Sequence, residues 1–431
     1  MSVIQTDATA AAPPEILSRI LSLSLDIDCP AESLDVRKGA WPYGRVCRRW
    51  RDLVLSNPFL WDHFVAQIAQ PLPEWPLPDV PEAMRHGPGG IDIAKEAQIQ
   101  YKRHYDNFIK DRTTLSPSSV SILMEYLKRS GGVPLHVSLE VPESVELANR
   151  DIKDAFFALL LSHVSRWKTL QCTIIKEPVR ALVGEALIRE APKLIHFQGI
   201  PPCSSSETPF CYYPFFQHFA DTLVSLDITP VKISFPNSNH TITTMSHLRS
   251  LKVFSTDVLD QLKAPALDEL AISSTHKIAA LNTFMERSQI FDRLQSLSLM
   301  QVLTPIWVDI FKRLIVLSAL IMEDIIDDLS FLRGLSGACP KLKTLKISES
   351  KQRQGPQGLQ INKESLVFLI RFLNDRLETG TLENVSIQLN RLSFLDADQA
   401  LTEQVEALNA KEGVEVTFKD VSVWGWGRFG W

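Results

Sequence analysis

The chain has 431 residues, of which 45% are hydrophobic and 22% are charged, and its formal net charge is −5 at pH 7. These proportions are those of an ordinary globular protein, so they exclude a largely disordered chain. The negative net charge excludes the overall basic character of a nucleic-acid-binding domain. The length suffices for two or three domains or for one long repeat array.

Cysteine usage and hydropathy indicate an intracellular protein. The six cysteines are dispersed, and none forms a CxxC pair or a Cys/His cluster with the spacing of a zinc site. The N-terminus has no basic segment before an apolar run, so we expect no secretory signal. No apolar run approaches about 18 residues, which predicts that no helix spans a membrane. We therefore expect reduced cysteines and a cytoplasmic or nuclear location.

Two short helices are predicted near the N-terminus. Residues 13–25 combine Pro14, which suits the first turn of a helix, with apolar residues at helical spacing. After a polar loop, residues 44–56 predict a second helix, which Asn57-Pro58 ends. The second helix would carry an apolar face formed by Val46, Cys47, Trp50, Leu53 and Val54.

The next segment is rich in proline. Six prolines between residues 71 and 88 prevent regular hydrogen-bonded structure and predict a linker or an extended arm on the surface. Residues 91–112 have the amphipathic pattern of a helix. Ser116 and Pro117 then have the residue types of an N-cap and a first helical position, which predicts a helix that runs to Arg129.

A repeating phrase follows a strand-like segment that begins at Val133. After each of several helical stretches the sequence returns to apolar–x–x–apolar–x–apolar. Between Leu226 and Leu345 the middle positions of this phrase are 25, 19, 27, 23 and 25 residues apart, within the leucine-rich repeat period of about 20–29 residues. The copies are Trp167/Leu170/Cys172, Leu223/Leu226/Ile228, Leu248/Leu251/Val253, Leu267/Leu270/Ile272, Leu294/Leu297/Leu299, Leu317/Leu320/Met322, Leu342/Leu345/Ile347 and Leu382/Val385/Ile387, with Leu194 and Phe197 as a degraded copy.

These repeats predict an α/β fold of a particular kind. Each short strand would supply two inward apolar residues, and no single unit could bury them, so neighbouring units must stack. We therefore predict an irregular leucine-rich repeat solenoid, with a curved parallel sheet and with helices on its convex side. An ordinary α/β domain, in which strands also alternate with helices, is the alternative.

Catalytic motifs are not recognisable. The sequence contains no G-x-S-x-G, Walker-type or H-E-x-x-H motif, and no cysteine has a convincing histidine partner. Residues 425–430 spell G-x-G-x-x-G, but a dinucleotide site needs a helix after this motif and the sequence ends at Trp431. We expect no catalytic residue, no cofactor and no metal site. The aromatic tail would cap the last repeat or remain flexible with a contact role.

The N-terminal segments resemble a known family. The stretch APPEILSRILSLSL followed by GRVCRRWRDLVLSNPFLWDHF resembles the F-box, especially the F-box-like proteins abundant in mushroom-forming fungi. The resemblance covers about residues 12–65, and it extends over about 120–400 only as repeat architecture. It implies a non-catalytic role in which the F-box-like segment docks a Skp-family adaptor and, through it, a cullin. By position, it implies adaptor contacts for Pro14, Ile16, Leu17, Ile20, Leu21, Val46, Trp50, Leu60 and Trp61.

The repeats would bind the substrate. Side chains alternate along a strand, so the residues between the inward leucines point away from the core. This face is polar and mixed in sign, which suits a protein or peptide better than nucleic acid or a membrane. The substrate-face candidates are Asp227, Lys252, Glu269, Ser298, Lys346 and Ser386.

The leading hypothesis is therefore a substrate-recognition subunit of a Skp–cullin–F-box ubiquitin ligase with an unidentified protein target. The alternative is a leucine-rich repeat interaction scaffold in which the F-box-like segment is purely structural. The predicted organisation is a flexible N-terminus (1–11), the F-box-like motif (12–65), a Pro-rich linker (66–90), connecting helices (91–132), the repeats (133–420) and the tail (421–431).

Overall fold

The fold was analysed in a computed structural model. It is α/β, and its described residues include a large, mostly parallel sheet of 12 strands. The chain divides into two compact units, Met1–His218 and Phe219–Trp431. The structure describes residues 12–25, 33–68, 115–141, 150–174, 177–190, 193–201, 213–228, 242–274, 278–300, 307–325, 335, 337–349, 363–390 and 398–419. The predicted helix over 91–112, the prolines between 71 and 88 and the tail over 421–431 lie outside these residues.

The first unit combines N-terminal helices with four parallel strands in the order β1-β2-β3-β4. Its strands are β1 (His63–Gln67), β2 (Leu135–Val141), β3 (Trp167–Ile174) and β4 (His196–Gly199). Its α-helices are α1 (Pro14–Ser24), α2 (Arg48–Ser56), α3 (Pro117–Arg129), α4 (Arg150–Leu161), α5 (Glu177–Glu190) and α6 (Tyr213–Phe219), the last ending at the unit boundary. Short 3-10 helices cover Pro42–Arg45, Pro58–Trp61 and Val164–Arg166.

The predicted helix over 44–56 is broken in the structure, so that prediction was wrong in its first part. Cys47 has an extended backbone with φ −157° and ψ 174°, and α2 begins only at Arg48. The residues before it form the 3-10 helix that starts at Pro42. Val46 is β-branched, and neither Val46 nor Cys47 favours a helix. Val46 therefore does not belong to the apolar face that was predicted for the second helix.

The helix predicted from Ser116 and Pro117 is confirmed. The Ser116 hydroxyl accepts a hydrogen bond from the Ser119 amide at 3.3 Å, and the Ser119 hydroxyl accepts one from the Ser116 amide at 3.2 Å. Pro117 occupies the first turn, where its missing N–H costs nothing. This reciprocal cap fixes the start of α3, which carries Tyr126 into the core.

An aromatic cluster joins the N-terminal helices to the sheet of the first unit. The Trp61 ring is fully buried and packs edge-to-face against Trp41 and Tyr126, with centroid distances of 4.9 Å and 5.4 Å. The Arg129 guanidinium lies 4.7 Å from each tryptophan centroid. The Tyr126 hydroxyl donates a hydrogen bond to the His63 carbonyl oxygen at the start of β1. The F-box-like segment is thereby packed onto the strands that follow it.

The second unit carries the longer series of strands. Its parallel strands pair in the order β5-β7-β9-β10-β11-β12-β13-β14, and β6 pairs with β8 separately. The strands are β5 (Ser225–Ile228), β6 (Thr243–Thr244), β7 (Ser250–Ser255), β8 (Leu262–Lys263), β9 (Glu269–Ser274), β10 (Ser296–Met300), β11 (Ala319–Ile325), β12 (Thr344–Glu349), β13 (Asn384–Asn390) and β14 (Val414–Lys419). Its helices are α7 (Ile278–Ser288), α8 (Trp307–Arg313), α9 (Lys363–Glu378), α10 (Gln399–Asn409) and a 3-10 helix (Thr256–Gln261).

The predicted leucines form continuous rows across these strands. Leu226 pairs in register with Leu251, and the row runs on to Leu345 without a shift at these positions. Every side chain of this row is buried, with at most 3% of any surface exposed. The alternation predicted from the sequence is confirmed at these positions. The row comprises Leu226, Leu251, Leu270, Leu297, Leu320, Leu345 and Val385.

The turns before the strands repeat one backbone bond pattern. The Val224 carbonyl oxygen accepts hydrogen bonds from the amides of both Arg249 and Ser250, at 2.8 Å and 3.1 Å. At each of the next five pairs of neighbouring strands, one carbonyl oxygen likewise accepts hydrogen bonds from two successive amides. The accepting carbonyls are those of Val224, Arg249, Asp268, Gln295, Ser318 and Lys343. Because each turn bonds the next, neighbouring strands are held in one register.

Arginines at helix ends add a second type of bond between successive turns. The Arg287 guanidinium donates to the carbonyl oxygens of Leu259 and Leu262, the latter at 3.0 Å from Nε. Two other arginines make comparable bonds. Arg166 donates to the carbonyl oxygen of Val133, which precedes β2, and Arg376 donates to the carbonyl oxygen of Leu335, which precedes β12. No helix in the described part of the chain is long and apolar enough to cross a membrane.

Candidate functional site

The first helix exposes an apolar stripe. Ile16, Ile20 and Leu23 are spaced by four and three residues, which places them on one face of α1. Their exposed fractions are 52%, 48% and 67%, high for residues of this kind. A neighbouring side of α1 holds Leu17 and Leu21, which are buried. The helix is therefore anchored by one face while a second apolar face lies open.

Four of the predicted adaptor contacts belong to the core instead. Leu17, Leu21, Leu60 and Trp61 expose 5% of their surface or less, so they are not available to a partner in this structure. The helix α1 packs against α2 and the 3-10 helix Pro58–Trp61. The sequence pattern did not distinguish the two faces because both are apolar. We correct the predicted set by leaving these four residues out of the docking surface.

The remaining predicted contacts are accessible to different degrees. Pro14 is exposed, and Val46, the residue before the extended Cys47, exposes 61% of its surface. Trp50 is half-buried, with its ring 6.0 Å from that of Tyr43.

Three further exposed apolar residues were not predicted. Leu23 extends the stripe of α1, Leu55 lies in the last turn of α2, and Phe59 lies in the 3-10 helix. Leu23 follows Ile16 by seven residues, a spacing that could have revealed it. Phe59 is exposed although the next residue, Leu60, is buried, and the sequence alone does not distinguish the two. We define the apolar helical surface as Ile16, Ile20, Leu23, Val46, Leu55 and Phe59.

Basic residues accompany this surface. Arg45, Arg48 and Arg51 are exposed on α2 and the turn before it, where Asp52 is the exposed carboxylate. Arg51 donates to the Gly44 carbonyl oxygen at 3.0 Å, which holds the turn to the helix. The Arg49 guanidinium donates to the Ala12 carbonyl oxygen, which ties the start of α1 to α2. The neighbourhood of the apolar helical surface therefore combines exposed apolar and cationic side chains.

The second unit carries the predicted substrate-face residues on the side of its strands that faces away from the buried rows. The registers place Asp227 beside Lys252 and Lys346 beside Ser386. None of the six predicted residues is buried. We define the polar strand face as Asp227, Lys252, Glu269, Ser298, Lys346 and Ser386.

Charges on the polar strand face are partly paired. Lys252 Nζ lies 3.2 Å from Asp227 Oδ2, so these two predicted residues neutralise each other. Glu269 belongs to a neighbouring row, where its register partners are Ser250 and Ser296. The face therefore alternates charge and hydroxyl groups and has no single sign.

A surface cavity of about 440 Å³ lies at one end of this face. Its polar lining includes Lys346, Asn384, Ser386 and Glu415. Ser386 lies in register between Lys346 and Glu415, so the backbones of these two exposed charged residues stand two strands, or about 10 Å, apart. The sequence pattern did not identify Glu415 because β14 lacks the leading leucine of the other copies.

The described parts of the chain also contain side chains of metal-ligating types and cysteine thiols. These parts contain no group of three His, Cys, Asp or Glu residues that could hold a metal ion. Burial raises the pKa of the Cys172 thiol to about 12 and that of Cys339 to about 12, so both are poor nucleophiles at neutral pH.

No family model matches the chain, and no curated protein is significantly similar to it in sequence. Its functional assignment therefore rests on its own residues and on the resemblance of residues 12–65 to the F-box.

Proposed function

We propose that this chain is the substrate-recognition subunit of a Skp–cullin–F-box type ubiquitin ligase. Its apolar helical surface binds a Skp-family adaptor, which links it to a cullin, and its repeats bind a protein target. The chain performs no chemistry itself, because its role is to raise the concentration of the target near the ligase machinery.

One observation carries this proposal. Ile16, Ile20 and Leu23 form an open apolar stripe on a helix whose other apolar face is already buried. A helix needs only one such face to pack onto its own core, so the second face favours a partner. An amphipathic helix laid into an apolar groove is an established recognition mode, and the stripe has the required i, i+4, i+7 spacing.

The arginines beside the stripe favour an acidic adaptor. Arg45 and Arg48 are exposed and have no carboxylate partner among the described residues. Charges at the rim of an interface mainly steer association and select the partner. An adaptor surface rich in carboxylates would complement them.

We also infer that the second unit is an irregular leucine-rich repeat solenoid with its helices on the convex side. Three features support this: the buried leucine rows, the parallel strands that follow one another in chain order apart from the separate β6–β8 pair, and the repeated carbonyl bond between turns. Such architecture offers an extended strand face for binding.

The polar strand face is the proposed substrate site. The cavity beside Lys346 and Glu415 presents one cationic and one anionic residue on strands about 10 Å apart. This spacing suits an extended peptide that carries both an acidic and a basic side chain. The face has no dominant positive charge, so we propose a protein target and neither nucleic acid nor a membrane. We place the protein in the cytoplasm or nucleus, where such ligases act.

A second candidate function is favoured by the burial of Leu17, Leu21, Leu60 and Trp61. These residues pack the F-box-like segment into its own unit, as in a repeat scaffold whose N-terminal helices are purely structural. Under this alternative the chain would bind partners through its strand face but would bind no adaptor.

Co-expression of the full chain with a Skp-family adaptor, followed by size-exclusion chromatography, separates the two candidates. The ligase role predicts a single peak that contains both proteins in equal amounts. Two separate peaks from a folded chain would contradict it and favour the scaffold.

A further inference from the structure

A row of imidazoles crosses the strands of the first unit. The parallel registers pair His63 with His136, His136 with Thr169, and Thr169 with His196. None of these four residues is buried, and on β2 and β4 buried residues alternate with them. At a strand spacing of about 4.8 Å, three imidazoles lie within about 14 Å of one another. We call His63, His136, Thr169 and His196 the histidine row.

Two of these rings are stacked. The centroids of His63 and His136 lie 4.3 Å apart, and the ring planes differ by 4°. Nδ1 of His63 is 2.6 Å from Asp62 Oδ1, and Nδ1 of His136 is 2.9 Å from Thr169 Oγ1. In the described part of the structure neither ring makes another hydrogen bond, so Nε2 of each is the atom that can bond a partner.

The charged groups around the row favour an anion. Lys168 lies next to Thr169 on β3, and its charge helps to lower the pKa of both His136 and His196. Burial is the larger cause in each case, and the neighbouring histidines add to it for His136.

Two carboxylates also face these strands. Asp62 is bonded to His63 and raises the pKa of His136, while Glu140 lies four residues along β2 from His136. Since Asp62 is already paired, the row itself presents imidazoles and an ammonium group without a free carboxylate among its immediate neighbours.

We propose that the histidine row is a binding site for an acidic peptide segment of a partner protein. The site lies on strands of the first unit, it shares no residue with the polar strand face, and its proposal does not rest on adaptor binding. Carboxylates of the peptide would accept hydrogen bonds from Nε2 of His63 and His136. The next outward positions, Gln171 and Gln198, offer amides to the peptide backbone.

Binding at this site takes up protons. Nδ1 of His63 is engaged with Asp62, so a carboxylate of the peptide would meet Nε2. A doubly protonated imidazole carries a hydrogen on both ring nitrogens, so its Nε2 donates to that carboxylate, and the bound anion stabilises the imidazolium. Affinity for the acidic segment therefore rises as the pH falls through the range in which histidine titrates.

The test uses the full chain and a fluorescein-labelled hexaglutamate peptide, with fluorescence anisotropy at about pH 6 and about pH 8. We expect affinity on the order of tenfold higher at the lower pH, since at least one proton is taken up. His136→Gln and His196→Gln should each reduce this rise in affinity at the lower pH. His196 is exposed, so its replacement does not endanger the fold.

The matched control is His247→Gln, which alters an exposed histidine in a turn of the second unit and should leave the gain unchanged. Three results would overturn the proposal. They are no binding at either pH, equal affinity at both pH values, or a rise in affinity at the lower pH that is as large in His136→Gln and in His196→Gln as in the wild-type chain. Binding that is equal at both values would indicate attraction to lysines and arginines elsewhere on the chain.

Discussion

The indole Nε1 of Trp61 donates a hydrogen bond of 2.9 Å to the carbonyl oxygen of Val54. This bond closes the end of α2 onto the 3-10 helix that follows it, and both side chains are buried. The Trp-Val pair therefore holds the F-box-like segment together from within. The exposed apolar residues of this segment, which form the apolar helical surface, lie outside this buried pair.

Replacing Trp61 tests its structural role. Trp61→Ala should lower the free energy of unfolding of the first unit by about 3–5 kcal/mol, because it leaves a large cavity. Trp61→Phe keeps a ring but strands the Val54 carbonyl oxygen, which should cost about 1–3 kcal/mol. Urea unfolding followed by circular dichroism measures both variants, and equal stability of the two would contradict the packing described here.

The arginine bonds between turns predict an unequal effect of two similar substitutions. Arg287→Met removes the donor for the Leu259 and Leu262 carbonyls and should cost about 2–3 kcal/mol. Arg293→Met removes a surface ion pair with Asp268, at 3.1 Å, and should cost at most about 1 kcal/mol. Thermal unfolding of the two variants compares them directly. A larger loss for Arg293→Met would show that the carbonyl bonds do not stabilise the repeats.

Two glycines with positive φ form a second matched pair. Gly413 has φ +75°, and a Cβ there would lie 2.2 Å from the Glu383 carbonyl oxygen. Gly380 has φ +66° but meets no atom within 4 Å. Gly380→Ala should cost about 1 kcal/mol from backbone strain alone. Gly413→Ala adds a backbone clash between the residues that immediately precede β13 and β14. Its free energy of unfolding, measured in a denaturant titration, should therefore fall by clearly more than that of Gly380→Ala.

The histidines predict how stability depends on pH. Burial lowers the pKa of His136, His163 and His196 in the folded chain, so the unfolded chain binds more protons just below pH 6.5. Stability should therefore rise with pH through this window and fall on acidification. Melting temperatures measured between about pH 5 and about pH 8 test the sign. His136→Gln should flatten the slope, and a melting temperature that increased on acidification would contradict this account.

The sequence predicted the repeat strands well because one local signal governed them. Each copy places leucines two residues apart, and burial of both requires a strand with one fixed face. The strands β1 and β14 were missed because His63–Gln67 and Val414–Lys419 lack the leading anchor of the phrase. Both pair as parallel strands, which depends on contacts distant in sequence.

The candidate sites were predicted less completely. The periodicity of apolar residues predicted that Leu17 and Ile20 both belong to one helix, but it could not predict which of the two side chains would be buried in the core. The break at Cys47 depends on packing around Pro42 and was not visible in the pattern. The histidine row arises only because the register brings His136 beside His63, which precedes it by 73 positions.

The central claim is that the open stripe of α1 binds a Skp-family adaptor. Isothermal titration of the purified adaptor into the wild-type chain and into an Ile16→Asp, Ile20→Asp double variant tests it most directly. Ile16 lies in the first turn of α1, where an acidic side chain suits the helix dipole, so the fold should survive. The matched control is Leu182→Asp, which alters an exposed leucine on α5.

The account predicts that the double variant weakens adaptor binding by about 100-fold or more, as expected for residues at the centre of an interface. The control should bind within about twofold of the wild-type chain, because substitutions outside an interface cost little. Unchanged melting temperatures would show that all three proteins are folded. Wild-type affinity in the double variant would contradict the account and remove α1 as the docking element.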